Sequence, residues 1–195
     1  MPTPEIGLRE RTRRAVRTEL VDAAMELFLD RGFEATTVEE IATAAGLSRR
    51  SYFRYFASKD EVFAEGLAAI GQVVADELAR RPAGEVPWTA LRRSFDPLIT
   101  RVESDDRAAD LGRLVLESPA LQNSHHRKQA SWQASISVAL ARRLDGAESE
   151  LRSRALAGAA LACFNVAQES WLAAGDERTL GSLLDAAMAE VHPLG

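Results

Sequence analysis

Residues 36–59 read TTVEEIATAAGLSRRSYFRYFASK, and we interpret this segment as two short helices joined by a tight turn. Thr37-Val38-Glu39-Glu40 is a capping box, in which a hydroxyl accepts a backbone N–H bond and a glutamate reaches back, so a helix is predicted over 38–45. Gly46 ends this helix because glycine adopts the left-handed conformation at little cost. Ser48 then caps a third short helix that runs through Tyr55. This pattern is typical of a helix-turn-helix unit.

The second helix of such a unit lies in the major groove of DNA and presents its N-terminal side chains to base edges. Here those side chains are Arg49, Arg50 and Ser51, and the planar guanidinium of arginine can bond guanine O6 and N7 together. Residues 46–59 also contain Arg54 and Lys59 and no acid, although the net charge of the chain is −5. This local basic charge predicts a small DNA-binding module on an acidic body. The alternative is a helix pair whose charges are merely solvated.

The rest of the chain has helical periodicity, and strand-type alternation is nearly absent, so an all-α fold is predicted. A first helix is expected over 9–31, and a second capping box at residues 58–61 begins a long fourth helix that reaches Arg81. Further helices are expected over 88–102, 106–117, 120–144, 149–174 and 178–191. The predicted architecture has about nine helices. Residues 1–57 are predicted to form a DNA-binding head of three helices, which the fourth helix connects to a helical body over residues 58–195. The resemblance described below implies that this body binds a ligand and dimerises.

Composition argues against several other classes of protein. No run of about 18 apolar residues is present, and the N-terminus lacks the apolar core of a signal peptide, so the protein is expected in the cytoplasm. The single cysteine, Cys163, is interpreted as a small buried residue, with redox sensing as the alternative. His125 and His126 point about 100° apart on a helix, so a shared metal ion is not expected. Without a catalytic motif, the sequence predicts no enzyme, no catalytic residue, no cofactor and no metal.

Residues 23–63 resemble the head of the TetR family of bacterial repressors. The resemblance is carried by Arg31-Gly32-Phe33, Thr36-Thr37-Val38, Ala44-Ala45-Gly46-Leu47-Ser48 and Tyr55-Phe56-Ala57-Ser58-Lys59. It implies that DNA is contacted by Thr37, Arg49, Arg50, Ser51, Arg54, Tyr55 and Lys59. Two positions depart from the family pattern. Phe53 stands where members often have tyrosine, which removes a phosphate-binding hydroxyl, and Arg50 stands where many members have glycine or another small residue.

The resemblance also implies a repressor that acts as a homodimer, since family members usually pair through their last two helices. The predicted dimer interface consists of Leu151, Ala155, Gly158 and Ala162 on one helix and Leu180, Leu184 and Met188 on the next. A helix that is apolar most of the way round must be covered on both sides, which favours such an interface. The alternative is that these residues are buried within one chain.

A regulator of this kind is expected to release its double-stranded DNA operator when a small hydrophobic or amphipathic effector fills the body. The predicted lining residues are Trp88, Phe95, Leu98, Trp132, Phe164, Asn165, Gln168 and Trp171. The alternative is that these aromatic residues are ordinary core. Residues 114–184 are similar to family members associated with mycofactocin systems, in the segments 117–121 and 127–129, which points to acyl thioesters or related lipophilic ligands.

Three questions stay open at this stage. The protein could instead be an activator or a ligand-independent regulator. It could also be a helical ligand-binding protein or enzyme with a vestigial head, although such a head would not need the acid-free basic cluster. Finally, the N-terminal arginines either form an arm that contacts phosphates or the minor groove, or are a solvated helix start. These arginines are Arg9, Arg11, Arg13, Arg14 and Arg17.

Overall fold

The computed structural model describes residues 7–104, 109–110, 112–114, 121–173 and 178–193. Within these ranges the regular structure is entirely helical, which confirms the predicted all-α fold. The described helices are α1 (Leu8–Arg31), α2 (Val38–Ala44), α3 (Arg49–Tyr52), α4 (Lys59–Arg80), α5 (Pro87–Ser94), α6 (Asp96–Ser104), α7 (Gln122–Ala141), α8 (Ser149–Leu172) and α9 (Leu180–Val191). Most of the helix predicted over 106–117, residues 117–120 of the mycofactocin-like segment, and the side chains of His125 and His126 lie outside the described residues.

The chain divides into two compact units, Met1–Gly66 and Leu67–Gly195. From here on the names head and body refer to these two units, in place of the boundary at residue 57 predicted from the sequence. The division falls within α4, so the first turns of this helix belong to the head and the remainder belongs to the body. None of the helices in the described ranges has the length and apolar character needed to cross a membrane.

Aromatic side chains form the centre of the head. Phe28 of α1 lies 4.9 Å from Phe33 and 5.7 Å from Phe63, measured between ring centroids. All three rings are at most 2% exposed. Tilted and edge-on ring pairs of this kind stabilise a core beyond the effect of burial alone. They hold α1 against the start of α4 and against the turn that leads into α2.

The ends of α2 follow the sequence prediction. The Thr37 hydroxyl accepts a bond from the Glu40 amide, and the Glu40 carboxylate accepts one from the Thr37 amide at 2.9 Å, so the capping box is confirmed. The bond from the Thr37 backbone is the main reason why the pKa of Glu40 lies below its usual value. Gly46, with a φ of +67°, ends the helix in the left-handed region as predicted.

Several helix ends differ from the prediction by one to three residues, among them the end of α7 at Ala141 rather than Leu144. Two differences have a clear physical cause. The third helix ends at Tyr52 rather than Tyr55, because the next amides tighten into a turn and the Tyr55 N–H donates to the Tyr52 carbonyl at 2.8 Å. The single helix expected over 88–102 is two helices that meet at Phe95. Pro97 has no N–H to donate to the Arg93 carbonyl, so the regular bonding pattern is interrupted at this point.

The core of the body is built around Phe164 of α8. Its ring stacks on Phe95 at a centroid distance of 5.0 Å, and the Trp132 ring of α7 lies 6.2 Å away. Cys163, the neighbour of Phe164, is 6% exposed, as the sequence predicts, and donates a weak bond to the Ala187 carbonyl of α9 at 3.5 Å. Burial raises the pKa of its thiol, which favours the structural interpretation of this residue over redox sensing.

Two buried indole N–H groups tie helices of the body together. Trp132 donates to the Leu67 carbonyl of α4 at 2.8 Å, and Trp88 donates to the His192 carbonyl beyond α9 at 2.9 Å. Gly71, one turn after Leu67, faces the Trp132 ring so closely that an added Cβ would overlap it. The absence of a side chain at Gly71 is therefore what allows α7 and α4 to pack at this distance.

We expect Gly71→Ala to lower the free energy of unfolding by about 1–3 kcal/mol, because the added methyl must displace a rigid, hydrogen-bonded indole. Urea denaturation followed by tryptophan fluorescence reports this change, since all three tryptophans lie in the body. Gly84→Ala is the matched control because a Cβ there meets nothing within 4 Å. A Gly71→Ala protein as stable as the control would contradict the close packing described here.

Candidate DNA-binding surface

The helix-turn-helix unit places its predicted base-reading arginines at the surface. Arg49 and Arg50 begin α3, and Arg54 follows in the turn after it; all three are exposed. Ser51 is half-buried, and its amide donates to the Ser48 hydroxyl at 3.2 Å in the cap of α3. Thr37 is exposed at the corresponding cap of α2. The structure thus brings together most of the residues predicted to face DNA on the two short helices and the turn after α3.

Arg49 is held by two neighbours. Its Nε lies 3.0 Å from Glu39 Oε1, and its guanidinium carbon lies 5.6 Å from the centre of the Phe53 ring. The first contact is an ion pair and the second is within the range of a cation–π interaction. Sequence reasoning identified neither partner, although Glu39 directly follows the start of α2 and Phe53 lies one helical turn after Arg49.

Lys59 has a supporting role in the head besides the phosphate contact that the family resemblance implies. Its ammonium group donates to the carbonyl oxygens of Phe33, Glu34 and Thr36, at 2.6, 3.2 and 3.2 Å. It also lies 4.5 Å from the centre of the Phe33 ring, and its side chain is only 22% exposed. An ammonium has three protons, and three carbonyls already accept them. Lys59 therefore positions the turn before α2, and its contact with a phosphate stays a prediction.

Among the N-terminal arginines, Arg17 differs in its contacts from Arg9 and Arg13. Arg17 is bonded internally: it pairs with Glu65, donates to the Tyr55 carbonyl at 2.7 Å, and lies 4.3 Å from the centre of the Phe56 ring. The hydrogen bond to Glu65 raises the pKa of Arg17 above its usual value. Its role is therefore structural, which sequence reasoning could not identify because Glu65 lies 48 residues away.

Arg9 and Arg13 lie on a groove that continues the basic surface. The groove is lined by Leu8, Arg9, Thr12, Arg13, Arg54 and Tyr55. It therefore joins the first turns of α1 to the turn that follows α3. Three arginines and two hydroxyl-bearing side chains along one groove are suited to an anionic backbone, which favours the arm interpretation for these two arginines.

Tyr52 and Phe53, the second of which stands where family members often have tyrosine, have different surroundings in the structure. Tyr52 is fully buried, and its hydroxyl donates to the Ser58 carbonyl at 2.9 Å. Burial raises the pKa of this phenol. Its ring meets the Phe53 ring edge-on at 5.5 Å, while Phe53 itself remains 46% exposed. The hydroxyl thus supports the turn between α3 and α4, and Phe53 offers an apolar ring to the outside.

The residues predicted to line a ligand cavity are mainly packed core. Five of them are at most 6% exposed: Trp88, Phe95, Leu98, Trp132 and Phe164. Asn165, Gln168 and Trp171, on the last turns of α8, are half-buried. An open groove between α7 and α8, lined mainly by Ala134, Ser137 and Val138, includes none of these eight residues.

The residues of the predicted dimer interface also differ in exposure, between α8 and α9. On α8, Leu151 is 65% exposed, Ala155 and Ala162 are exposed, and Gly158 is half-buried. The structure corrects the prediction for α9. Its residues Leu180, Leu184 and Met188 have no exposed surface, because they pack into the core of their own chain. They therefore offer no area to a second molecule.

Comparisons with known proteins match both units. The family described as "Bacterial regulatory proteins, tetR family" matches residues 20–65, and the family described as "MftR C-terminal domain" matches residues 85–194. The transcriptional regulator TcmR of Streptomyces glaucescens is 32% identical over 96% of this chain and 87% of its own length. MftR of Mycobacterium tuberculosis, named for the regulation of mycofactocin biosynthesis, is 32% identical over 83% of this chain and 82% of its own length.

Solved structures share the fold. FadR of Thermus thermophilus, a TetR-family repressor solved with lauroyl-CoA, superposes with a TM-score of 0.61. Its identity is 23%, and the match covers 92% of this chain and 95% of that one. This likeness supports the all-helical architecture described above.

We expect Lys59→Met to lower the free energy of unfolding by about 1–3 kcal/mol, because it leaves carbonyl oxygens of the turn before α2 without their donor. Urea denaturation followed by far-ultraviolet circular dichroism measures this, since the head contains no tryptophan. Arg50→Met removes an exposed cation and should change stability by less than about 0.5 kcal/mol. Wild-type stability together with a weaker salt dependence of DNA binding would instead restore Lys59 as a phosphate contact.

Proposed function

Since this chain belongs to the TetR family of bacterial transcriptional regulators, we propose that it is a repressor whose head binds a DNA operator and whose body binds a small lipophilic ligand. The resemblance found in the sequence, in the head and in the C-terminal half, is confirmed. The observation that carries the proposal for the head is the exposed arginine surface of α3 and its following turn. We infer no catalytic activity, and we infer that the protein acts in the cytoplasm, where bacterial operators lie.

In this proposal α3 enters the major groove, and Arg49 and Arg50 reach base edges. Arg54 and Tyr55, with Arg9 and Arg13 along the groove, contact phosphates and fix the orientation of the head. Thr37 and Ser51 add contacts from the two caps. Phosphate contacts release counterions, so affinity should fall with salt for every DNA sequence, whereas the contact of Arg49 should distinguish bases.

We further propose that two chains pair through the outward face of α8. Leu151, Ala155, Ala162 and Val166 are spaced along one face of the helix, and all four are exposed. A two-fold axis lets the same face serve on both molecules, and small residues at its centre allow close approach. The dimer then presents two heads to the two halves of an operator.

For the body, the half-buried residues of α8 are the best candidates for contact with a ligand. Asn165 and Gln168 supply polar groups on the same last turns of α8 as the half-buried Trp171, which suits an amphipathic molecule. The lauroyl-CoA in FadR belongs to that protein, but it is a reasonable first probe for this one. A ligand that prefers the conformation with low affinity for DNA releases the operator, and operator DNA must then weaken ligand binding by the same factor.

Arg49→Ala should lower discrimination at one base pair by about 1–3 kcal/mol, because a bidentate contact to guanine is removed. The wild-type protein first selects a duplex from a random library. Variants of this duplex, each changed at one base pair, are then the targets whose affinities are measured by fluorescence anisotropy. Arg101→Ala, an exposed arginine of the body, is the control. Unchanged base preferences in Arg49→Ala would show that α3 does not read DNA through this residue.

Ala162→Arg should convert the dimer to a monomer, because it adds a charge and a long side chain to each copy of a self-complementary face. Light scattering gives the mass directly. Val86→Arg changes a residue that is also exposed, at 51%, but lies before α5, so its mass should equal that of the wild type. A dimeric Ala162→Arg protein would show that α8 is not the interface.

Lauroyl-CoA should quench tryptophan fluorescence, and its affinity should be roughly 5- to 150-fold lower when the selected duplex is present. Coenzyme A without an acyl chain is the control and should bind weakly or not at all. Lauroyl-CoA that binds equally well with and without DNA would contradict release of the operator. Absence of binding would exclude this acyl thioester as the effector.

A further inference from the structure

We infer that Glu39 and Phe53 are positioning residues that determine how sharply Arg49 distinguishes one base from another. The inference rests on the proposed role of α3 in DNA binding and adds residues to which the comparisons assign no function. Neither residue need touch DNA for this role. Each acts by restricting where the Arg49 guanidinium lies before DNA arrives.

The two contacts on Arg49 are made from different elements. Glu39 belongs to the first turn of α2, and its Oε1 lies 3.0 Å from Arg49 Nε. Phe53 ends α3, and its ring centre lies 5.6 Å from the guanidinium carbon. The two partners therefore approach the same guanidinium from different elements.

The frame of the head fixes both partners. The capping box uses Glu40 to close the start of α2, so the adjacent carboxylate of Glu39 is available to α3. The ring of Phe53 meets the buried, hydrogen-bonded Tyr52 edge-on at 5.5 Å, which limits its movement. The two partners are therefore attached to elements that are themselves well held.

The position of the ion pair selects one way of reading guanine. A guanidinium can bond O6 and N7 either through Nε and one terminal nitrogen or through both terminal nitrogens. Because the Glu39 carboxylate lies beside Nε, 3.0 Å away, the approach through the two terminal nitrogens is favoured. The guanidinium carbon lies 5.6 Å from the centre of the Phe53 ring, so this ring also restricts the position of the group before DNA arrives. An arginine ordered in advance loses less conformational freedom on binding, and misplaced hydrogen-bond geometries become harder to reach.

An exposed carboxylate beside a DNA-binding arginine has a second effect, which must be separated from the first. It repels phosphates and weakens binding to all sequences alike. Glu39→Gln removes this repulsion and should strengthen binding to every duplex. The ratio of affinities for two duplexes that differ at one base pair cancels the uniform effect, and only this ratio reports positioning.

The test measures this ratio for Glu39→Gln, Arg49→Ala and the double variant, using the duplex that the wild-type protein selects from a random library. The base pair read by Arg49 is the one at which Arg49→Ala loses discrimination. At that base pair, Glu39→Gln should lower the ratio by roughly three- to tenfold. In the Arg49→Ala background it should cause no further loss, whereas in an Arg50→Ala background its effect should persist. Phe53→Leu should also lower the ratio, while Phe53→Tyr, which keeps the ring, should not.

Each other outcome overturns the inference in a recognisable way. An unchanged ratio in Glu39→Gln would show that the ion pair does not position Arg49. A loss that persists in the Arg49→Ala background, or occurs at another base pair, would show that Glu39 contacts a base itself, as carboxylates do with the amino group of cytosine. An unchanged ratio in Phe53→Leu, or an equal loss in Phe53→Leu and Phe53→Tyr, would exclude the Phe53 ring as the support. A wild-type protein that selects no sequence at all would refute the proposed function, and with it this inference.

Discussion

The ammonium group of Lys59, bonded to the carbonyl oxygens of Phe33, Glu34 and Thr36, is the contact on which the geometry of the head depends. It joins the turn after α1 to the first residue of α4. That turn leads directly to Thr37, which caps α2, so the place where α2 begins is set by this contact. The short turn at Gly46 then leaves little freedom for α3. The position of the exposed arginines is therefore determined by a cation that itself lies mostly below the surface.

The body is held by the same kind of contact, a side-chain donor bonded to backbone carbonyls. Trp132 bonds to Leu67 in α4, and Arg143, in the turn after α7, bonds to the carbonyl of Arg81, directly after α4, at 2.8 Å in both cases. α7 and the turn after it thus contact α4 and its C-terminal end. Because Gly71 lies under the Trp132 ring, a change in the position of this indole requires a change in the packing of α4. The aromatic core of the body and α4 are therefore coupled through the packing of this one residue.

The sequence predicts the parts of this molecule that depend on neighbouring residues. The capping box at Thr37 and the turn at Gly46 follow from residue types within four positions, and the structure agrees with both. The sequence predicts one helix over 88–102 and not the break between two helices at Phe95, although Pro97 favours a break. The reason is that the apolar period continues across the proline. The family resemblance gives Lys59 only as a phosphate contact and does not identify its bonds to carbonyl oxygens within the head. These acceptors lie 23 to 26 residues earlier, and no local pattern identifies them.

The contacts that support the head differ from the contacts of Arg49, which we propose reads DNA. The supporting contacts of Lys59, Arg17 and Tyr52 are partly or fully buried, and each ends on at least one backbone carbonyl, which any residue can supply. The contacts of Arg49 are made by exposed side chains, Glu39 and Phe53. Exposed ion pairs contribute little to stability, generally less than about 1 kcal/mol, so substitutions at these two positions leave the fold nearly unchanged. A head built in this way can acquire a new base preference through side chains on its surface while the buried contacts that place α3 remain as they are.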